Sequence, residues 1–113
     1  MFIKKSSRIK KQISSQGFVY EYNDGNDKIG MAVSELNGRV PDVGKMKNNV
    51  CHEVYYVISG NARVYVKNDI FELSEGDVFH IELGMEFYVE ADNFKVVIPT
   101  SPPFYPEQWE NIK

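Results

Sequence analysis

Asn49-Val50-Cys51-His52-Glu53-Val54-Tyr55-Tyr56-Val57-Ile58-Ser59-Gly60 is the stretch that decides how this chain folds. Its β-branched and aromatic residues, ending on a glycine, read as a buried strand closed by a turn. Glu53 stands out within it. A carboxylate at the head of such a strand has to be solvated at a rim, paired with a cation, or put to use in a pocket.

The chain on both sides has the same period-two character. Upstream, Phe18–Tyr22 is a short aromatic strand, Asn23–Asp27 consists of turn residues, Ile29–Glu35 is the next strand, and Asn37-Gly38 turns it. Residues 41–49 form a loop that delivers side chains to the mouth of the organising strand. Downstream, Ala62, Val64 and Val66 alternate with Arg63, Tyr65 and Lys67, and Asn68-Asp69 is a two-residue hairpin turn into Ile70–Leu73. Ser74–Asp77 turns into Val78–Ile81, and Glu86–Glu90 and Phe94–Ile98 repeat the alternation as two further strands. Many short strands punctuated by turns, with no helical periodicity of useful length, predict an all-β sandwich or barrel. The proline-rich tail from Pro99 cannot continue as a central strand, and Pro106 can open one short helix or leave an extended tail. Phe104, Tyr105 and Trp109 are expected to cover an end of the barrel.

Composition bounds the rest. A length of 113 residues predicts one domain: a basic N-terminal arm or edge strand over 1–16, a barrel over 17–99 and a tail over 100–113. The single cysteine rules out an internal disulfide framework. No stretch approaches the roughly eighteen apolar residues of a membrane span, and no apolar segment follows the basic N-terminus, so a soluble, cytoplasmic protein is expected. The net charge of −3 conceals an asymmetry: residues 1–12 carry five basic residues and no acid, leaving 8 basic against 16 acidic residues in the remainder. Asp69–Asp92 holds eight acids and neither Lys nor Arg, which argues against a nucleic-acid surface there. The basic dozen reads as a solvated arm or a lysine-protected edge, not a membrane contact.

On these motifs the sequence resembles the cupin superfamily, over about Val43 to Pro103. Glu53 and Gly60 match the Glu-x6-Gly end of the family's first motif, and Gly76-Asp77 and Gly84 fit the second at the right spacing. The resemblance implies a double-stranded β-helix, or jelly roll, usually dimeric. It also marks where this chain departs from the pattern. Family members hold a divalent metal with two histidines and a glutamate from the first motif and one histidine from the second. Here the paired histidine positions fall on Lys47 and Asn49, or on Met46 and Asn48 with the longer spacer. The second-motif histidine falls on Phe87, with Glu82 and Ala91 at the motif's proline and asparagine. Glu53 alone retains a ligating side chain, so neither a metal nor another cofactor is expected. His52 lies on the strand face opposite Glu53, and His80 lies between inward-facing Phe79 and Ile81.

If Glu53 points inward, strand parity carries Cys51 and Tyr55 with it, and Asn49 and Lys47 if the strand extends that far. Met85 and Phe87 are expected to face them from the second-motif strand. The expected site is therefore Lys47, Asn49, Cys51, Glu53, Tyr55, Met85 and Phe87, with Glu53 as candidate acid or base and Lys47 as its candidate counter-cation. The function that follows is binding of a small polar organic ligand, a sugar or a carboxylic acid, by a homodimer. A metal-independent sugar isomerase, epimerase or lyase is the alternative, and a metal-dependent dioxygenase or isomerase the third.

Overall fold

The computed structural model describes residues 2–113. After a 3-10 turn at Lys5–Ser7, the chain forms β1 (Ile9–Ser14), β2 (Gly17–Tyr22), β3 (Gly30–Val40), β4 (Lys45–Asn48), β5 (His52–Val66), β6 (Asp69–Leu73), β7 (Val78–Ile81) and β8 (Phe87–Ser101). A second 3-10 turn at Pro106–Gln108 leads into β9 (Trp109–Ile112). The strands run β1-β2-β3-β8-β4-β9 across the sheet, and β5 pairs with β6, β7 and β8. The result is an all-β jelly-roll barrel, a sheet curled on itself. No helix among the described residues is long and apolar enough to cross a membrane.

Two long strands, β5 and β8, form the spine, and each bends in the middle. Gly60 does not end β5. It turns a corner there with φ of +80°, opposite Asn93, whose own φ of +45° turns β8 at the same level. A side chain at Gly60 would run into the Asn93 carbonyl, so only glycine lets the two corners stack. The residues that read as separate strands on either side, Glu86–Glu90 and Phe94–Ile98, are thus halves of one bent strand. Gly38 acts similarly: β3 runs through it as a bulge, with a register shift between Leu36 and Gly38, and does not stop at a turn.

Three other expectations shift. The β5–β6 hairpin turns on Lys67-Asn68, because Val66 pairs with Asp69, which begins β6. The tail forms a 3-10 turn in place of an α-helix, then joins the sheet through β9, which pairs antiparallel with β4. Pro99 is incorporated in β8, between the Glu53–Thr100 and Tyr56–Val97 pairs where the β5 ladder is interrupted and no N–H is needed.

The core lies between the curled halves. Phe87, Phe94, Ile81, Val57, Val64, Val89 and Val96 are each under 2 % exposed. Burial of such side chains is worth about 1.5–3 kcal/mol each, which makes this layer the main tie between the halves. The inner face continues from the core toward β2 and β3 with smaller side chains, and there the barrel opens into a cavity.

Candidate functional site

β4 presents Met46 and Asn48 inward, both buried, and then breaks. Residues 49–51 form the bend between β4 and β5, so parity is reset before His52. Asn48 and Glu53 therefore face each other although they are five residues apart, and Asn48 Nδ2 donates to Glu53 Oε1 at 2.8 Å. Behind Asn48 lies Gln108, 3 % exposed, whose Nε2 donates to Asn48 Oδ1 at 2.8 Å. Gln108 Oε1 in turn accepts from the backbone N–H groups of Val50 at 3.1 Å and Cys51 at 3.0 Å. Two side-chain amides thus link the β4–β5 bend to the carboxyl group.

Glu53 opens onto a cavity of about 340 Å³ on the concave face. The register explains why space exists there. Glu53 of β5 pairs with Thr100 of β8, Ile98 of β8 with Ala32 of β3, and Ala32 with Glu21 of β2. Three strand steps, roughly 14 Å along the sheet at the usual spacing, separate the two carboxyl-bearing residues. Ala32, Ser34 and Thr100 between them are small, while Leu36, Val40, Met46, Ile98, Phe104 and Trp109 supply apolar walls. The far end carries Glu21, nearly buried and paired with the Lys11 ammonium at 2.9 Å.

The two ends differ electrostatically. Desolvation pushes the Glu53 carboxyl above its ordinary range, and the bond from Asn48 only partly opposes this. Among the described residues no cation pairs with it. Burial, and secondarily the Glu53 charge, raises the phenol of Tyr55, which lines the same cavity. At the opposite end Glu21 has its lysine. The cavity thus joins a carboxyl group that resists ionisation to one that carries its own counter-ion.

Of the seven residues expected at the site, Glu53 and Tyr55 line this cavity, and the other five lie elsewhere. Lys47 is directed away from Glu53 and pairs with Glu110 on β9 at 3.6 Å. Asn49 lies in the bend and donates to the Gln108 carbonyl at 3.1 Å. Both reversals follow from the parity reset at 49–51, which gives Met46 and Asn48 the inward positions. Cys51 is fully buried, its thiol 3.6 Å from the Pro103 carbonyl and pushed up chiefly by burial. Phe87 packs in the core opposite Met46, and Met85 packs against that core. Phe104 and Trp109, expected as an end cover, are cavity walls, whereas Tyr105 is exposed.

Sequence reasoning missed the N-terminal contribution. Lys11, Gln12 and Ile13 of the basic arm line the cavity as part of β1. Glu21 had a legible signal, since it shares the inward parity of Val19, and an acid on the apolar face of a strand calls for a partner. Gln108 had none, because it lies in a tail without periodicity.

A divalent metal of the kind the family resemblance implies does not fit these residues. The inward side chains around Glu53 are Met46, Asn48, Tyr55 and Phe87, and Asn48 turns its amide N–H groups, which cannot ligate, toward the carboxyl. His52 and His80 lie together on the outer face, ring centroids 5.8 Å apart, on the side of β5 away from Glu53. Among the described residues no group of three or more His, Cys, Asp or Glu side chains is gathered.

A second concave surface, an open groove lined by Arg63, Glu72, Glu90 and Asp92, lies beside β6. Its charged groups are solvated: the Arg63–Glu72 pair, at 3.5 Å, has both side chains more than half exposed. Such a pair contributes little, and the groove has no buried reactive group.

This architecture is the cupin fold. No protein-family model and no curated protein matches the sequence. Among solved structures, Pac13 from Streptomyces, solved with uridine, superposes with a TM-score of 0.86 at 11 % identity, over 99 % of this chain and 90 % of that one. A further Pac13 structure is described as that of a nucleoside dehydratase. KdgF from Halomonas sp. gives 0.73 at 15 % identity over 92 % and 96 % of the two chains. An RmlC-like cupin from Shewanella frigidimarina gives 0.71 at 17 % identity over 94 % and 93 %. At these identities the likeness is one of fold.

Proposed function

We propose that the cavity binds a small, uncharged, hydroxylated organic molecule of the sugar or nucleoside class, without a metal. The observation that carries this is Glu53: a carboxyl group with no cation paired to it among the described residues, braced by Asn48 and facing an otherwise largely apolar cavity. A group held this way gains most by donating a hydrogen bond to a ligand oxygen. Apolar walls between the two polar ends suit a ligand with a flat or hydrophobic middle and hydroxyl groups at its extremities. A carboxylic acid suits the cavity less, because Lys11, the cation that lines it, is already paired with Glu21. The fold likeness to a barrel solved with uridine supports the nucleoside side of this class. A cytosolic setting goes with the lone buried thiol, and the acidic barrel gives no reason to invoke nucleic acid or membrane.

Calorimetric titration of uridine and neutral monosaccharides against the wild type, Glu53→Gln and Glu53→Ala tests the proposal. Glutamine retains a donor toward the cavity, so binding stays within a few-fold of wild type. Alanine removes it and weakens binding at least about tenfold, the worth of one good hydrogen bond. Wild-type affinity in Glu53→Ala refutes the assignment.

A second reading, an acid–base enzyme of the isomerase, epimerase or lyase kind, is favoured by one observation: the cavity has a second carboxylate, Glu21, at the end opposite Glu53. The likeness to a nucleoside dehydratase supports the same class. Turnover separates the readings. An enzyme loses its rate in Glu53→Gln while binding persists, because glutamine donates a hydrogen bond but cannot transfer a proton.

A further inference from the structure

Which oxygen of Glu53 carries the proton can be derived from the hydrogen bonds behind it. Backbone N–H groups can only donate, so the Gln108 atom that meets those of Val50 and Cys51 must be its oxygen. The Gln108 amide is thereby fixed in one orientation, with Nε2 toward Asn48. Asn48 must then turn its oxygen to Gln108 and its N–H groups to Glu53. This leaves no freedom for an amide flip at either residue. Glu53 Oε1 is consequently an acceptor in both protonation states.

We infer that the Gln108–Asn48 relay is a positioning device that confines the proton of neutral Glu53 to Oε2, so that the cavity presents a hydrogen-bond donor there. The inference rests on the proposed binding role of the cavity and narrows the ligand. The atom meeting Glu53 has to be an acceptor, a carbonyl, ether or hydroxyl oxygen, and an ammonium group is refused while the acid is neutral. Neither Gln108 nor Asn48 needs to touch the ligand. Both act through Glu53, and Gln108 does so from the C-terminal segment that also supplies Trp109 and Phe104 to the cavity wall. The ionisable groups that share this environment are Tyr55 and Cys51 on the same chain segment and Glu21 with Lys11 across the cavity.

Neutron diffraction from deuterated wild-type crystals at acidic pH reads the proton directly. A deuteron on Oε2, with the Asn48 amide deuterons toward Oε1, is the expected result. A deuteron on Oε1 overturns the inference. A second measurement follows the Glu53 carboxyl by 13C NMR titration in Gln108→Leu, with the resonance assigned by its loss in Glu53→Gln. Releasing Asn48 from its single orientation lets it accept from the neutral acid, so the midpoint moves upward relative to wild type. A Gln108 that is merely structural lowers the melting temperature and leaves the midpoint in place, and that result also overturns the inference. Neither experiment contains a ligand. A cavity that binds nothing leaves the proton assignment intact, and a proton on Oε1 leaves the binding proposal to be judged by titration.

Discussion

Glu53 is costly to keep as a charge, and that cost sets a pH dependence. Its carboxyl titrates above the ordinary value of 4.5 in the folded chain because burial penalises the ionised form. Over the interval from 4.5 up to its folded value, the native state holds a proton that the unfolded chain has released. Stability must therefore fall as pH rises through that interval and level off above it. Urea unfolding of wild type and Glu53→Gln across pH 4–8 should show the decline in the wild type and its loss in the variant, which is at least as stable at neutral pH. Parallel curves contradict this account. Asp24 and Asp42, both lowered by hydrogen bonds from neighbouring residues, act in the opposite direction below 3.8 and cancel in the comparison. Asn48→Leu leaves both Glu53 Oε1 and Gln108 Nε2 without their partner and should cost about 1–3 kcal/mol in the same assay. Glu53 was legible as the chemical centre because an acid opening an apolar strand is anomalous on any reading. Its partner was not. Alternation counted backward from Glu53 leads to Asn49 and Lys47, and the bend at 49–51 that transfers the role to Asn48 has no mark of its own in the sequence.

At the scale of the element, glycines in this chain do two jobs that look alike in sequence. Gly76 turns between β6 and β7 in open space, whereas Gly60 turns a corner inside a strand against the Asn93 carbonyl. Both have positive φ, so Gly76→Ala should cost about 1–2 kcal/mol for conformation alone. Gly60→Ala adds the clash and should cost clearly more, read as a larger drop in the urea midpoint at unchanged slope. Equal losses would mean that the corner yields. The same ambiguity explains why strand existence was readable from period-two alternation while strand ends were not. A glycine after an apolar run marks a turn or a bulge equally well, and only the pairing across β8 decides between them. The tail was similarly opaque. Its prolines argue against a ladder, yet β9 starts beyond the last of them and pairs only with β4.

For the molecule as a whole, the acidic barrel and the basic first strand form one unit, since Lys11 of β1 reaches the buried Glu21 of β2. The outer face of β5 and β7 exposes apolar side chains: Tyr56 and Val78 are paired neighbours, 45 % and 62 % exposed, and Ile58 lies two residues further along. We expect this face to be covered by a second copy of the chain. Sedimentation velocity should show a dimer for the wild type and a monomer for Val78→Lys, in which a charge is forced into the contact. A wild-type monomer at tens of micromolar removes this expectation without touching the cavity, which is built within one chain.

The measurement that bears most directly on the account is a backbone amide chemical-shift map of the wild-type protein titrated with uridine and a set of neutral sugars. A ligand held in the cavity gives saturable shifts at Glu53 and Tyr55, at Ala32, Ile98 and Thr100 along the cavity floor, and at Phe104 and Trp109 in its wall. Shifts confined to the acidic groove at Arg63, Glu72, Glu90 and Asp92, or no saturable shifts with any member of the set, contradict it.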